Sequence, residues 1–274
     1  MGGLIMKKYI QSVGTILFLA LFLPYTLTLL LHGREGVHCE EELPELEYQV
    51  MYRLIQEDHF WVQDQTLELL AMLYRTELIQ ARENKDVGKI FKGLKSDHYS
   101  RIEKAVRSTE GQIIQIDGEY RELPYHMLSA GKTREGNLLG EEFSYVTVSD
   151  CPLDLKSNQY LQIFMLSGQE LNRTLGQEFD FDNMELVRDS SDYVIKVKCP
   201  KKEWQGETFR TLLHLASSCF WMEETEKGIR VTVKGNGHGF GISLYTADQM
   251  AKNGKSIQEI LDQFYKKAEC ITIP

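Results

Sequence analysis

Two stretches of the chain carry residue types suited to proton transfer or ligand binding. The first is the run Gly235–Gly241, in which glycine alternates with other residues around a central His238. Alternating glycines allow backbone conformations closed to other residues and let a ligand or another chain segment come close. A glycine-rich turn with an incidental imidazole is the simpler interpretation. The run lacks the Gly-Lys-Ser/Thr ending of a phosphate loop and the context of a dinucleotide fingerprint, so a nucleotide site is not favoured.

The second stretch is Glu57 with the aromatic residues Phe60 and Trp61 that follow it. Glu57 falls at the end of a predicted helix, where the negative end of the helix dipole disfavours another negative charge. Desolvation by aromatic neighbours acts in the same direction, and both effects would raise the pKa of this carboxyl. A carboxyl that keeps its proton near neutral pH serves as a general acid. The alternative is a solvated glutamate at a helix end.

The overall composition narrows the classes of partner. The 274 residues carry a formal net charge of −9, with an isoelectric point near 5.4 and no basic cluster interleaved with aromatic residues. Nucleic-acid binding is therefore not expected. The odd count of five cysteines excludes a complete disulfide framework within one chain. No cofactor is expected, and no metal, because no set of ligands has metal-site spacing; zinc at His126 and His238 is a weaker alternative.

The N-terminal region predicts a membrane anchor. Val13 to Leu31 carries no charge and is just long enough to span a hydrocarbon core. Lys7 and Lys8 precede it, which predicts a cytoplasmic N-terminus. The lack of a clear Ala-x-Ala cleavage site favours an uncleaved anchor over a signal peptide. The predicted organisation is a cytoplasmic N-terminus over 1–12, an anchor over 13–31, a juxtamembrane linker over 32–44 and an external domain over 45–274.

The external domain mixes helices and strands without strict alternation, which is typical of an α+β fold with antiparallel strands. Apolar spacing predicts helices over 43–59, 64–82, 99–109, 168–175, 208–215 and 256–265. A further helix containing Ala247, Met250 and Ala251 is predicted after the glycine run. Strands are predicted over 112–116, 125–128, 145–148 and 160–165, with two more within 183–197 and a hairpin of 220–222 with 230–234. Ser256 and Glu259 form a capping-box pattern at the start of the last helix. The segment 84–97 is polar and is expected to be a loop or short helix.

Four blocks of residues follow one another along about 45–274. They are Glu57 ahead of a helix that ends in Arg75-Thr76; Ala105-Val106 through Thr109-Glu110-Gly111; His126 with Ser129-Ala130-Gly131-Lys132-Thr133; and Phe209-Arg210 with Ser217 to Phe220 and the Gly-His-Gly-x-Gly run through Ser243 and Tyr245. In this order they resemble the catalytic domain of stage II sporulation protein D, a lytic transglycosylase of endospore-forming bacteria. Ala130, Leu244 and Thr246 depart from the pattern, which leaves room for an altered glycan groove and a weakened enzyme.

The resemblance implies a reaction and a set of site residues. The family cleaves the bond from N-acetylmuramic acid to N-acetylglucosamine without water, because the 6-hydroxyl of the sugar attacks and leaves a 1,6-anhydro ring. One carboxyl acts first as acid and then as base, so Asp58 and Glu68 are not required as a second acid. Glu57 is the implied catalytic residue. The implied substrate contacts are Arg75, His126, Ser129, Thr133, Arg210, His238, Ser243 and Tyr245, with a buried ion pair as an equal alternative for Arg75.

The resemblance also implies partners and a location. These are peptide-stripped peptidoglycan strands, a cell-wall amidase, a multi-pass membrane protein of the engulfment machinery, and the membrane itself through the N-terminal helix. The domain would lie outside the cytoplasm, between the membranes of the forespore septum, and act in septal remodelling and engulfment during sporulation. The main alternative is a glycan-binding activator of the amidase that cuts little or nothing. A metal hydrolase built on His126 and His238 is weaker.

Overall fold

The computed structural model describes residues 22–23, 43–57, 61–81 and 97–273. Apart from residues 22–23, the predicted anchor over 13–31 lies outside this range, and so does the predicted loop over 84–97 up to residue 96. Met1–Pro44 and Glu45–Pro274 form separate compact units, and the candidate site belongs to the second. Within the described residues, no helix combines the length and the apolar character needed to cross a bilayer.

The helices of the second unit confirm the predicted ones, with small shifts of their ends. In chain order they are α1 (Glu45–Gln56), α2 (Asp64–Ala81), α3 (Asp97–Ser108), α4 (Gly168–Leu175), α5 (Gly206–Leu212), α6 (Leu244–Lys252) and α7 (Ile257–Phe264). The first three pack against one another. Residues 69–74 of α2 are almost inaccessible to solvent on every side, as expected of a central helix surrounded by other elements. The packing of α1 and α3 around this helix therefore holds the N-terminal half of the unit together.

The strands form small and mostly antiparallel sheets. They are β1 (Gln112–Ile116), β2 (Tyr125–His126), β3 (Leu161–Leu166), β4 (Glu185–Arg188), β5 (Val194–Cys199), β6 (Lys202–Gln205), β7 (Phe220–Thr225), β8 (Gly228–Lys234), β9 (Ile242–Ser243) and β10 (Ala268–Thr272). β1 pairs with β10, the other antiparallel sheets have the orders β3-β8-β7 and β4-β5-β6, and β2 pairs in parallel with β9. The predicted α+β class and the predicted hairpin of β7 and β8 are confirmed for this unit.

Two strand predictions differ from the structure. The strand predicted over 125–128 ends at His126, and the one predicted over 145–148 is replaced by turns and a single bridge between Val146 and Tyr265. Val146 donates to the Phe143 carbonyl and Thr147 to the Phe264 carbonyl. These backbone groups therefore close a local turn and fasten the end of α7 instead of extending a ladder.

The site is held by the elements around β2 and β9. The glycine run connects β8 to β9, and β9 leads directly into α6. Asp248 of α6 accepts hydrogen bonds from the Gln63 backbone at 2.6 Å and from the Thr66 hydroxyl at 3.2 Å. The start of α2 is thereby fastened to the helix that follows the glycine run. The two stretches that carry candidate chemistry thus share one framework.

Candidate active site

Glu57 lies immediately beyond the last residue of α1, and its backbone nitrogen donates to the Arg53 carbonyl at 3.1 Å. The side chain is 37% exposed. Its Oε2 accepts hydrogen bonds from the Tyr74 hydroxyl at 2.8 Å and the Tyr125 hydroxyl at 3.3 Å. The expected position at the helix end is confirmed. Of the expected aromatic neighbours, Trp61 is 44% exposed and Phe60 lies outside the described residues.

The two tyrosines act on Glu57 as donors only. Burial raises the pKa of Tyr74 and of Tyr125 well above the ordinary value for a phenol, so both hydroxyls keep their protons at physiological pH. Their rings lie 5.9 Å apart, in a tilted arrangement. Because both hydroxyls reach the same carboxylate oxygen, they fix the rotation of the Glu57 carboxyl group.

A second carboxylate lies close to this cluster. Arg53 contacts Oε2 of Glu77 through Nη1 at 2.7 Å, while its Nη2 is 3.9 Å from Oε1 of Glu57. The guanidinium also lies 5.0 Å from the centre of the Tyr74 ring, within the range of a cation–π interaction. Burial raises the pKa of Glu77 and the charge of Glu57 acts in the same direction, whereas the charge of Arg53 and its hydrogen bond oppose both.

The glycine run is shaped by close approach of the protein's own chain. Gly237 has φ +113°, and a Cβ there would lie 2.6 Å from the Cβ of His126. Gly241 has φ +65°, and its Cβ would lie 1.7 Å from the Pro124 carbonyl oxygen. Other residues avoid such φ values and have no room for a side chain at these two positions. The segment that enters β2 therefore fills the space that the glycines open here.

Two histidines meet beside this run. Nδ1 of His238 accepts from the Phe240 backbone at 3.1 Å, and Nδ1 of His126 lies 3.0 Å from the Phe240 carbonyl oxygen. The two rings are 5.7 Å apart. Burial lowers the pKa of His126 to about 3, and burial also lowers the pKa of His238. A neutral His126 donates from Nδ1 to the carbonyl, which leaves Nε2 without a hydrogen-bond partner in the described part of the chain.

Tyr125 joins the two groups. Its hydroxyl bonds Glu57, while its backbone takes part in a hydrogen bond with the side chain of His238. Successive residues of a strand point to opposite faces, so β2 presents Tyr125 to the acid and His126 to the other histidine. Both predicted stretches, Glu57 and the glycine run, therefore contact the same short strand.

Arg75 is part of the frame of the domain. It is fully buried and forms a bidentate ion pair with Glu47 at 2.8 and 2.6 Å. It also donates to the Gln112 carbonyl at 2.7 Å. The resemblance implied a sugar contact, with a buried ion pair as the alternative, and the structure has the ion pair. We therefore remove Arg75 from the expected sugar contacts, because it presents no surface to a ligand.

Three of the expected hydroxyl contacts are also enclosed. Ser129, Thr133 and Ser243 have no exposed surface. The Ser129 hydroxyl accepts from the Gly131 backbone, and the Thr133 hydroxyl donates to the carbonyl of Thr147. The expectation of direct sugar contact is therefore wrong for these three residues. Their hydroxyls bond protein groups and support the loop after β2.

Arg210, Tyr245 and His238 keep part of their surface exposed. Arg210 donates to the carbonyls of Leu215 and Ala216 at 3.2 and 3.1 Å and pairs with Glu207 at 2.9 Å. These three residues stay predicted sugar contacts, whereas the expectation for His126 is corrected because that residue is buried. Among the residues that the structure describes, no group of three His, Cys, Asp or Glu side chains is arranged to hold a metal ion.

The sequence interpretation missed Asp154. This buried carboxylate accepts from the Ser129 backbone at 2.8 Å, the Ser243 hydroxyl at 2.8 Å and the Thr246 hydroxyl at 2.7 Å. Burial raises its pKa, against the lowering effect of these hydrogen bonds. Asp154 thus joins the loop after β2 to the start of α6, and it stands in no motif that the sequence offers.

Arg134 was missed as well. Its Nε lies 2.6 Å from Oδ2 of Asp189 and its Nη1 donates to the His238 carbonyl at 3.2 Å. Its guanidinium stacks 4.3 Å from the centre of the Phe240 ring. The only hint in the sequence is its place directly after the third block. Through these contacts Arg134 helps to hold the glycine run in position.

The comparisons with known proteins match the resemblance of the four blocks. The chain is 28% identical over 175 residues to stage II sporulation protein D of Bacillus amyloliquefaciens, covering 62% of this chain and 51% of that protein. It is 27% identical over 170 residues to the protein of the same name from Bacillus subtilis (strain 168), covering 61% and 50%. The chain thus spans about half the length of the curated relatives it matches. No family model matches it. These similarities confirm the predicted resemblance to the stage II sporulation protein D family.

Proposed function

We propose that this chain is a cell-wall protein of sporulation and, more specifically, a lytic transglycosylase that cleaves peptide-stripped glycan strands with formation of 1,6-anhydro-N-acetylmuramic acid. The observation that carries the proposal is Glu57, an accessible carboxyl group held in one orientation by Tyr74 and Tyr125. It stands where the resemblance puts the catalytic acid. The named relatives support a role in sporulation.

In this mechanism Glu57 carries the proton in both directions. The protonated carboxyl donates to the leaving glycosidic oxygen, and the resulting carboxylate accepts the proton of the attacking 6-hydroxyl. Tyr74 and Tyr125 donate to the carboxylate and stabilise it after the first transfer, because charge-assisted hydrogen bonds are stronger than neutral ones. His126 and His238 are kept neutral by burial. In this mechanism they transfer no proton and shape the side of the glycan groove next to Glu57.

Two of the three departures from the family pattern lie in the interior of the domain, and the third, Ala130, is partly exposed. Leu244 and Thr246 are buried, and the Thr246 hydroxyl adds a hydrogen bond to Asp154. The backbone of Ala130 donates to the Tyr193 hydroxyl at 2.9 Å and its carbonyl accepts from Tyr160. Leu244 and Thr246 thus present almost no surface to a glycan, which agrees with the proposal of an active enzyme.

The location and partners belong to the same proposal. The uncharged segment from Val13 to Leu31 would anchor the chain, with the domain from residue 45 onward outside the cytoplasm. The domain would act in engulfment, with an amidase that first removes the stem peptides and with a multi-pass membrane protein. The acidic net charge of −9 agrees with a carbohydrate partner and disfavours nucleic acid.

The test compares Glu57→Gln with the wild type on purified peptide-stripped strands. General acid–base catalysis contributes about a hundredfold or more, so we expect the variant to lose at least that much turnover while it still sediments with the strands. Glu119→Gln, which changes an exposed carboxylate paired with Arg121, is the control and should cut normally. A Glu57→Gln protein that cuts at the wild-type rate, or a wild type that binds strands without cutting, contradicts the proposal.

A further inference from the structure

Arg53 is shared unequally between two carboxylates. It lies one helical turn before Glu57 on α1, at the spacing that lets oppositely charged side chains pair on a helix surface. The pair is long, however, with 3.9 Å between Nη2 and Oε1. The same guanidinium closes instead on Glu77 of α2, at 2.7 Å. Arg53 is thus drawn across the contact between the two helices.

The position of Arg53 is fixed from two sides. Its Nη1 bonds Glu77, and its guanidinium carbon lies 5.0 Å from the centre of the Tyr74 ring. Tyr74 in turn donates to Glu57. The three side chains 53, 74 and 77 are partly or fully buried, so the arrangement is less screened by water than an exposed ion pair.

Closure of Arg53 on Glu57 would impair a general acid. An opposite charge at contact distance favours the ionised form of a carboxyl group, and an acid that is already ionised cannot protonate a leaving oxygen. The negative charge of Glu77 has the opposite influence, because a neighbouring like charge disfavours ionisation. Glu77 therefore disfavours ionisation of Glu57 in two ways: through its own negative charge, and by binding Arg53.

We infer that Glu77 is a positioning residue for the acid: it binds Arg53 across the α1–α2 contact, keeps the guanidinium from closing on Glu57, and so keeps Glu57 able to carry a proton. The inference rests on the proposed function, since it concerns the acid of that reaction. It adds a residue from the end of the second helix that the four sequence blocks do not single out.

The other titratable groups that the structure describes around Glu57 do not take over this role. Tyr74 of α2 and Tyr125 of β2 stay protonated and neutral. Glu122, in the loop before β2, is exposed and acts on Glu77 with a like charge. His238, which bonds the Tyr125 backbone, is kept neutral by burial. Among these described groups, Arg53 carries the positive charge and Glu77 is bonded directly to it.

The test measures pH–activity profiles of the full chain in detergent on peptide-stripped strands, for Glu77→Gln, Arg53→Gln and the double variant. Glu77→Gln should move the alkaline limb of kcat/KM to lower pH by about one unit, because Glu57 loses a like charge and gains a closing cation. Arg53→Gln should move the same limb to higher pH. In the double variant the shift caused by Glu77→Gln should largely disappear, because there is no guanidinium to release.

The control is Glu103→Gln. Glu103 pairs with Arg107 on α3 at 2.8 Å, and the exposure of the two side chains resembles that of the Arg53–Glu77 pair. We expect no movement of the alkaline limb in this variant. A limb that stays in place or moves to higher pH in Glu77→Gln overturns the inference, even if turnover falls. A double variant whose limb moves to lower pH as far as that of Glu77→Gln overturns it as well, because no guanidinium is then needed for the shift.

A second readout separates this inference from the proposed function. The carboxyl carbon of Glu57, labelled with ¹³C-glutamate and assigned with Glu57→Gln, can be titrated by NMR in the full chain without any turnover. A lower titration midpoint in Glu77→Gln and a higher one in Arg53→Gln support the inference even if no strand is cut, in which case the proposed function alone fails. An unchanged midpoint in Glu77→Gln contradicts the inference even in an active enzyme.

Discussion

At the scale of single residues, the proposed chemistry of Glu57 depends on neighbours that are distant in the chain. Tyr74 and Tyr125 donate hydrogen bonds to Glu57, and Glu77 binds Arg53, the cation one helical turn before Glu57. The sequence predicted the acid and its place at a helix end. It offered no signal for the tyrosines, since pairing of side chains across α2 and β2 follows from the packing of elements.

The two tyrosines lead to a prediction about turnover. Tyr74→Phe and Tyr125→Phe each remove a hydrogen bond to a carboxylate, a loss of about 1.5–3 kcal/mol that corresponds to about tenfold to a hundredfold in rate. We expect the loss in kcat with little change in KM, because the bond matters most once Glu57 is ionised. The exposed Tyr120 offers a control, and Tyr120→Phe should leave both constants unchanged. A change confined to KM would contradict this role.

His126 leads to a prediction about stability and pH. Burial lowers its pKa to about 3 in the folded chain, below the ordinary value near 6.5. The unfolded chain therefore binds more protons between these two values, and stability falls as the pH falls through that window. The expected loss from this residue is about 2 kcal/mol between pH 7 and pH 5.

Urea unfolding at the two pH values measures this loss. His126→Asn, whose amide can still donate to the Phe240 carbonyl, should lack that component of the pH dependence. His214→Asn, at an exposed position with φ +52° that asparagine tolerates, should retain it. Equal pH dependence of His126→Asn and the wild type would contradict the assignment.

At the scale of elements, the Arg75–Glu47 pair fastens α2 to α1. Arg75→Met leaves Glu47 buried without its cation, which should lower the free energy of unfolding by about 3–5 kcal/mol. Replacing both residues, as Glu47→Leu with Arg75→Met, should recover much of that loss, since an apolar pair often substitutes for a buried ion pair. Arg107→Met breaks a partly exposed pair and should cost about 1 kcal/mol or less. Chemical denaturation of the wild type and these three variants measures the losses. An Arg75→Met protein as stable as the wild type would exclude a fastening role for the ion pair.

The elements themselves were predictable to different degrees. The helices α1, α2 and α7 follow from apolar spacing and from the capping box of Ser256 with Glu259, which are local signals. Burial of Ser129 and Ser243 was not predictable, because both bond Asp154, which lies 25 and 89 residues away in the chain. Thr133 is enclosed by bonds to Thr147 and Ser149, which also follow from packing. The short parallel pair of β2 with β9 was missed for the same reason: it joins segments more than a hundred residues apart.

At the scale of the whole molecule, the anchor remains a prediction from the sequence. If Val13 to Leu31 spans a bilayer, the full chain should stay in membranes washed with alkaline carbonate. Leu21→Arg with Leu27→Arg should release it, because a charged residue near the centre of a span costs about 2.5–3.5 kcal/mol. Leu139→Arg, at an exposed position of the second unit, is the control and should stay bound. Release of the wild type by carbonate would exclude a spanning anchor.

In the proposed function of the whole molecule, Glu57 acts in an enzyme that cleaves glycan without water. Mass spectrometry of the soluble products from peptide-stripped strands tests it most directly. We expect fragments that end in 1,6-anhydro-N-acetylmuramic acid, one water lighter than reducing ends, from the wild type and none from Glu57→Gln. Fragments with ordinary reducing ends, or anhydro ends made equally well by Glu57→Gln, would contradict it.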